Sequence, residues 1–109
     1  MELSNPLLMD AEATFAKCLG IMEKKNADYG GAGDDPYKNF KNSLVIGVIP
    51  QRALLVRLMD KISRASTLLD NEAQVKDESK LDTIEDAINY LAILHSMVSR
   101  DVGSVERIK

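Results

Sequence analysis

The sequence lacks the cysteines that would build a disulfide framework. Cys18 is the single cysteine among 109 residues, which excludes an internal disulfide and any zinc site that needs several thiolates. A lone thiol among apolar neighbours is most simply a reduced core residue of an intracellular protein. We therefore expect Cys18 to be buried and the protein to be cytoplasmic.

Histidine is as scarce as cysteine. The one histidine, His95, excludes phosphohydrolases that need several histidines, and no Ser-His-Asp pattern supports nucleophilic catalysis. His95 falls among apolar residues at helical spacing, so we expect a core residue here rather than a ligand.

Long apolar runs and an excess of basic residues are missing as well. No apolar run approaches the ~18–20 residues of a membrane span, and the acidic start MELSNPLLMDAEA lacks the features of a signal peptide. A net charge of −3 gives no overall attraction to nucleic acid or to an anionic membrane. We expect neither a membrane nor a directly bound nucleic acid as a partner.

What the chain does have is an ordinary globular composition, 45% hydrophobic and 28% charged, in a length that suits one domain over residues 1–109. Periodicity and capping signals predict three main helices joined by one long loop. The first helix starts at Asn5-Pro6 and fades near 26–28, the loop runs from about Tyr29 to Ile49, the second helix runs from Pro50 to about Leu69, and the third from 77–79 to about Arg100. No strand pattern is convincing, so the predicted fold is an all-α helical bundle.

Each predicted helix has an apolar face. These faces comprise Leu8, Ala11, Phe15, Cys18, Leu19 and Met22 in the first helix, and Leu54, Leu55, Leu58, Met59, Ile62, Ala65 and Leu69 in the second. In the third they comprise Leu81, Ile84, Ala87, Ile88, Leu91, Ala92, Leu94, His95 and Val98. From Ile93 onward the third helix is apolar almost all round, because Ile93 and Met97 continue the stripe that Asp82 and Asp86 began. Such helices are buried on several sides, which predicts a dimer formed through helices.

Acids on the second and third helices form a candidate metal site. Glu78, Asp82 and Asp86 are spaced four apart, and Asp60 lies on the polar arc of the second helix. Clustered carboxylates without cations repel one another. Mg²⁺ would relieve that repulsion, since it binds hard oxygen ligands and keeps substrate phosphates in its shell.

A simpler interpretation of the same acids is open. Acids in the first turn of a helix offset its dipole, and Ser79 with Asp82 approximates a capping box. Asp60 could pair with Arg57 and Arg64 on its own helix. Asp86, which lies past the first turn, is the hardest of the acids to explain in this way.

The motifs resemble a known superfamily. LMDKISRASTLL followed by VKDESKLDTIEDAINYLAIL, with KNADYGG and DPYKNFKNS upstream, resembles the MazG-like all-α nucleoside triphosphate pyrophosphohydrolases. The phage-associated branch called the nucleotide modification associated domain is the most similar, over roughly residues 24–94. The superfamily's fuller pattern has Glu-Glu-x-x-Glu on the earlier helix, where this chain has the single acid Asp60.

The resemblance implies a helical bundle, usually dimeric, that holds Mg²⁺ against nucleotide phosphates and converts an NTP or dNTP to the monophosphate and pyrophosphate. It places Asp60, Asp82 and Asp86 at metal-binding positions, with Glu78 as a further ligand. A carboxylate outside the metal shell, Glu78 or Glu85, would accept the proton of the attacking water.

Basic and amide side chains complete the predicted site. Arg57, Lys61 and Arg64 share the arc of Asp60 and could contact phosphates, although a solvated, salt-bridged helix face explains them equally well. Stacking planes, amides and a cation suited to a nucleoside are provided by Tyr37, Lys38, Asn39, Phe40, Asn42 and Asn89. Alternatively, the two rings plug the end of the bundle while the loop asparagines close turns.

Two functions from different classes follow from these residues. The first is a Mg²⁺-dependent nucleotide pyrophosphohydrolase for nucleotide-pool control or phage DNA modification. The second is a catalytically silent helical module that senses nucleotides or docks on another protein, which the single acid on the second helix favours. A plain structural bundle with solvated charges is the third alternative.

Overall fold

The protein is described by a computed structural model over residues 5–30, 35–70 and 79–103, with the side chains of 27–30 excepted. These ranges contain three α-helices and one 3₁₀ helix. They are α1 (Pro6–Gly30), the 3₁₀ helix (Lys38–Ile46), α2 (Pro50–Asp70) and α3 (Lys80–Ser99). No strand occurs in the described ranges, and the prediction of an all-α bundle is confirmed.

The predicted N-terminal caps of α1 and α3 are both present. The Asn5 side-chain oxygen accepts a hydrogen bond from the Leu8 N–H at 2.9 Å, with Pro6 as the first helical residue. The Ser79 hydroxyl oxygen accepts from the Asp82 N–H, also at 2.9 Å. Both bonds satisfy amide groups that have no partner within the helix.

The C-terminus of α3 is closed by a Schellman motif. The Val102 N–H bonds to the Met97 carbonyl at 2.9 Å, and Asp101 between them adopts a left-handed φ of 54°. Gly103 follows with a φ of 86°, where a Cβ would meet the Pro50 ring at 2.9 Å. The end of α3 is thereby fixed against the start of α2.

The loop prediction is wrong for residues 38–46, which form the 3₁₀ helix. Three residues per turn place Tyr37, Phe40 and Ser43 on one side, and all three side chains are partly buried. A spacing of three residues does not match the 3.6-residue period of an α-helix, so α-helical periodicity does not indicate this helix. Gly47 ends the helix at a left-handed φ of 77°, which glycine adopts without a Cβ clash.

The inward face of α3 is not the predicted apolar arc. The buried residues of α3 are Thr83, Glu85, Asn89 and Met97. Leu81, Leu91 and Val98 of the predicted arc are 67%, 51% and 63% exposed, and His95, predicted to lie in the core, is exposed on the side of Leu91. The core is centred on Leu54, Met97 and Val102. Tyr37, which directly precedes the 3₁₀ helix, and Phe40 within it pack against this core. Helical periodicity identifies an apolar face, but not whether the same chain covers it.

No single helix in residues 5–30, 35–70 and 79–103 has the length and apolar content to cross a bilayer. The 3₁₀ helix and α2, bent by 103° relative to each other, together have the length and apolar composition of a span, by length and composition only.

Candidate functional site

A cavity of about 760 Å³ lies among α1, the 3₁₀ helix, α2 and α3. Its wall combines aromatic rings, amides, charged groups and apolar side chains. The aromatic and amide residues are Tyr37, Phe40, Tyr90, Asn26, Asn39, Asn42 and Asn89. The charged residues are Glu23, Lys25, Arg57 and Asp86, and Leu19, Met22 and Ile93 are among the apolar ones. The volume lies in the range typical of small-ligand sites.

The start of the 3₁₀ helix is held firmly at the cavity. The Tyr37 hydroxyl shares a hydrogen bond of 2.6 Å with the Ser96 hydroxyl of α3. Asp35 accepts from the Tyr37 N–H at 2.9 Å and pairs with the Lys41 ammonium at 2.7 Å. The bond from Lys41, followed by that from the Tyr37 N–H, lowers the pKa of Asp35. These contacts fix the Tyr37 ring in the cavity wall.

Asn89 is both a wall residue and a link between helices. Its side-chain N–H donates to the Cys18 carbonyl of α1 at 3.0 Å, and the residue is 8% exposed. Cys18 itself is 2% exposed, as predicted, and its pKa is raised by burial and then by the Glu85 carboxylate. The buried amide therefore fixes the packing of α3 on α1 beside the cavity.

Glu85 lies in the α1–α3 interface. Its Oε2 atom pairs with the Lys17 ammonium at 3.0 Å, and this hydrogen bond raises the pKa of Lys17. The second carboxylate oxygen, Oε1, is buried and has no hydrogen-bond partner among the described residues. Glu85 is not among the described residues that line the cavity.

Asp86 of α3 forms ion pairs with both other α-helices. Its Oδ2 atom lies 3.0 Å from the Lys61 ammonium of α2, and its Oδ1 atom lies 3.7 Å from the Lys25 ammonium of α1. Asp86 and Lys61 are each about one-third exposed. The predicted metal-binding carboxylate is thus paired with two lysines at the edge of the cavity.

The predicted metal ligands do not converge on one point in the part of the chain that is described. Residues 5–30, 35–70 and 79–103 contain no group of three or more His, Cys, Asp or Glu side chains that could hold a metal. Asp60 and Asp82 are exposed, and Asp82 lies in the first turn of α3, where it offsets the helix dipole. Glu78, predicted as ligand and proton acceptor, lies outside the described residues.

Two carboxylates of the described cavity wall are of the type that binds magnesium jointly with a substrate. Glu23 and Asp86 both line the cavity, and Mg²⁺ is commonly bound by one or two carboxylates plus phosphate oxygens. Three or four protein ligands around one ion would need more acids than the described residues bring together.

The predicted nucleoside and phosphate groups are brought together more completely. Tyr37, Asn39, Phe40, Asn42 and Asn89 all line the cavity, whereas Lys38 is exposed outside the described wall. Of the predicted phosphate contacts, Arg57 lines the cavity. Lys61 is not among the described lining residues, but it forms an ion pair with Asp86, which lines the cavity. Arg64 is exposed on α2.

Sequence reasoning missed the contribution of α1. Glu23, Lys25 and Asn26 line the cavity, although they sit in the polar end of an amphipathic helix. For Lys25 and Asn26 the available signal was the motif KNADYGG at residues 25–31, which carries part of the resemblance. The local sequence gives no reason why Lys25 rather than Lys24 should line the cavity. The packing of α1 on α3 decides which of the two lysines does so.

Comparison of the chain with protein-family models, with curated proteins and with solved structures found no match. The resemblance to MazG-like proteins therefore depends on the quoted motifs. A proposal about function has to be argued from the residues of the cavity.

Proposed function

We propose that the chain binds a (deoxy)nucleoside triphosphate in this cavity and hydrolyses it, with Mg²⁺, to the monophosphate and pyrophosphate. The observation that supports the proposal is the mixed chemistry of one cavity: rings, amides, cations and carboxylates share its wall. A nucleotide needs all four kinds of group, for its base, its sugar, its phosphates and their metal ion.

The base would lie at the end formed by the 3₁₀ helix. Tyr37, Phe40 and Tyr90 supply aromatic planes, and Asn39 and Asn42 supply amide donors and acceptors. Aromatic faces stack on any base, whereas amides discriminate between bases by hydrogen bonding. The Tyr37–Ser96 hydrogen bond holds one of these planes in place before the ligand arrives.

The phosphates would lie toward Arg57 and Asp86. Arg57 can bind phosphate oxygens through a bidentate fork. Asp86, with Glu23, would hold Mg²⁺ together with the phosphates. When bound, Mg²⁺ would polarise the phosphate group and lower the pKa of a coordinated water. The chain would orient the triphosphate. Glu78, which lies outside the described residues, stays the proposed proton acceptor, because Glu85 is paired with Lys17 in the α1–α3 interface and does not line the cavity.

A catalytically silent nucleotide-binding module is the second candidate. The observation that favours it is the state of Asp86, which already has a lysine beside each of its oxygens. Such a site can bind a nucleotide without activating water. In either case, the chain would work in the cytoplasm on the nucleotide pool or on the supply of nucleotides for modified phage DNA.

The test is pyrophosphate release from a panel of NTPs and dNTPs, with and without Mg²⁺. We expect Mg²⁺-dependent release from at least one nucleotide, and a loss of about 100-fold or more in Asp86→Asn, because changes that merely disturb metal ligands cost about 10–100-fold. Asp10→Asn, which removes an exposed acid of α1, is the matched control and should keep full activity.

Binding without turnover would select the silent module. If no nucleotide is hydrolysed and none raises the melting temperature with Mg²⁺ present, both candidates are wrong, since a ligand that binds the native state must stabilise it.

A further inference from the structure

Lys25, Lys61 and Asp86 form a cluster of charges at the edge of the cavity. One residue comes from each of α1, α2 and α3, and the Asp86 oxygens lie 3.7 Å from the Lys25 ammonium and 3.0 Å from that of Lys61. Two lysines against one carboxylate leave an excess of one positive charge beside a cavity that Lys25 and Asp86 line.

The geometry of the cluster leaves binding capacity for an anion. The 3.7 Å separation between Lys25 and Asp86 exceeds hydrogen-bond length, so the Lys25 ammonium, which has three donors, is attracted to Asp86 without being saturated by it. The Lys25 side chain is 59% exposed and that of Lys61 30%. Solvent-accessible ion pairs of this kind contribute little to stability, so they can be exchanged at little cost to the fold.

A carboxylate between two ammonium groups marks a place where anionic oxygens are attracted. A phosphate group presents more oxygens and more charge than Asp86 does. Arg57 is a second cation of the described cavity wall besides Lys25, and Glu23 is a second acid there besides Asp86.

We propose that Lys25 and Lys61 are a phosphate-binding pair and that Asp86 is their internal counter-ion. Asp86 and a ligand phosphate then compete for the same two ammonium groups. This inference rests on the proposed function, since it assigns the pair to the phosphates of the nucleotide. It adds Lys25 of α1 as a binding residue and gives Asp86 a role in the absence of any metal.

The test is the affinity for inorganic pyrophosphate in EDTA, measured by isothermal titration calorimetry on the full chain. Lys25→Gln should weaken binding about ten-fold, the usual scale for one hydrogen bond to a charged group. Lys24→Gln, which removes the exposed neighbouring lysine, is the matched control and should bind as the unaltered chain does. Adenosine, which has no phosphate, should bind Lys25→Gln and the unaltered chain equally.

Asp86→Asn is the sharper test, because competition between Asp86 and phosphate for the two lysines predicts that this variant binds pyrophosphate more tightly. Removal of the counter-ion should raise the metal-free affinity for pyrophosphate about ten-fold, while the same variant loses Mg²⁺-dependent turnover. Unfolding curves of each variant establish that it is folded, and Lys25→Gln, at an exposed position, tests the pair independently of Asp86→Asn.

Three results would overturn the proposal: no pyrophosphate binding by the unaltered chain, equal affinities of Lys25→Gln and Lys24→Gln, or weaker metal-free binding by folded Asp86→Asn. The proposed hydrolysis would survive any of them if nucleotides are still turned over. Conversely, the expected affinities in a chain without turnover would support the phosphate-binding pair and remove the hydrolase.

Discussion

At the scale of single residues, the buried polar groups between α1 and α3 determine what the chain exposes to chemistry. Cys18 is 2% exposed, and its thiol faces the Glu85 carbonyl oxygen at 3.9 Å. The carbonyl oxygen of Cys18 accepts a hydrogen bond from the Asn89 side-chain amide. Burial and then the Glu85 carboxylate raise the pKa of the Cys18 thiol. A thiol of this kind is structural rather than reactive.

Cys18 should therefore react slowly in the folded chain. The thiolate is the reactive form, and a raised pKa lowers its fraction at any pH below that pKa. We expect labelling by a disulfide reagent at pH 8 to be at least about ten-fold slower in the native chain than in denaturant, where burial is lost, and to accelerate as the pH rises. Since Cys18 is the single cysteine, absorbance of the released thiol follows this residue alone. Equal rates in the two states would show that the thiol is accessible.

Glu85 and Asp86 show how neighbouring acids on one helix acquire different surroundings. Glu85 is buried against α1 and pairs with Lys17, whereas Asp86 faces the cavity and pairs with Lys25 and Lys61. One residue corresponds to about 100° around the helix, which is enough to move a side chain from an interface to a cavity. Their acidic character was evident from the sequence, but this division was not.

At the scale of elements, α3 organises the fold. It packs on both α1 and α2, supplies Asp86 and Asn89 to the cavity, and ends in the Schellman motif beside Pro50. Met97, on its inward side, is fully buried in the core with Leu54 and Val102. The loss of this side chain would leave a cavity where the helix end, α2 and the 3₁₀ helix meet.

Met97→Ala should lower the free energy of unfolding by about 2–5 kcal/mol, the range for a buried Met reduced to Ala. The measurement is urea unfolding followed by circular dichroism. Met9→Ala, at a methionine of α1 that is 58% exposed, is the matched control and should change stability by less than about 1 kcal/mol. Similar losses in the two variants would contradict the assigned core.

The 3₁₀ helix shows why part of the fold escaped prediction. Its sequence, KNFKNSLVI, is rich in residues that favour turns. It becomes ordered because Tyr37 and Phe40 reach the core and Tyr37 bonds to Ser96. The order comes from contacts with α3, distant in the sequence, which a local pattern does not contain.

At the scale of the whole molecule, two helices carry apolar stripes that the described residues leave uncovered. Leu55, Ile62 and Leu69 on α2 are exposed and spaced seven apart, as are Ile84, Leu91 and Val98 on α3. A spacing of seven keeps side chains on one stripe over two turns each, the pattern of helices that pack against partner helices. We propose that a second copy of the chain covers these stripes.

The chain should then elute in sizing chromatography at micromolar concentration as a species larger than its monomer mass of 12.0 kDa. Ile62→Asp places a charge on the α2 stripe and should weaken self-association at least about ten-fold, because burial of an isoleucine contributes about 1.5–3 kcal/mol. Ser63→Asp adds the same charge one residue away, off the stripe, and should leave the size unchanged. Elution of the unaltered chain as a monomer would remove the dimer proposal.

The sequence by itself determined the all-α class, the start of α1 at Pro6, the cap at Ser79 and the burial of Cys18, because each depends on local capping, helical periodicity or hydrophobicity. It also identified most of the polar groups that line the cavity. Only the tertiary structure decided which face of α3 turns inward, that α1 contributes Lys25, and that Asp86 meets two lysines. Those outcomes depend on which helices pack together, and a charge on a helix surface has the same local signature whether it faces water, a cavity or another helix.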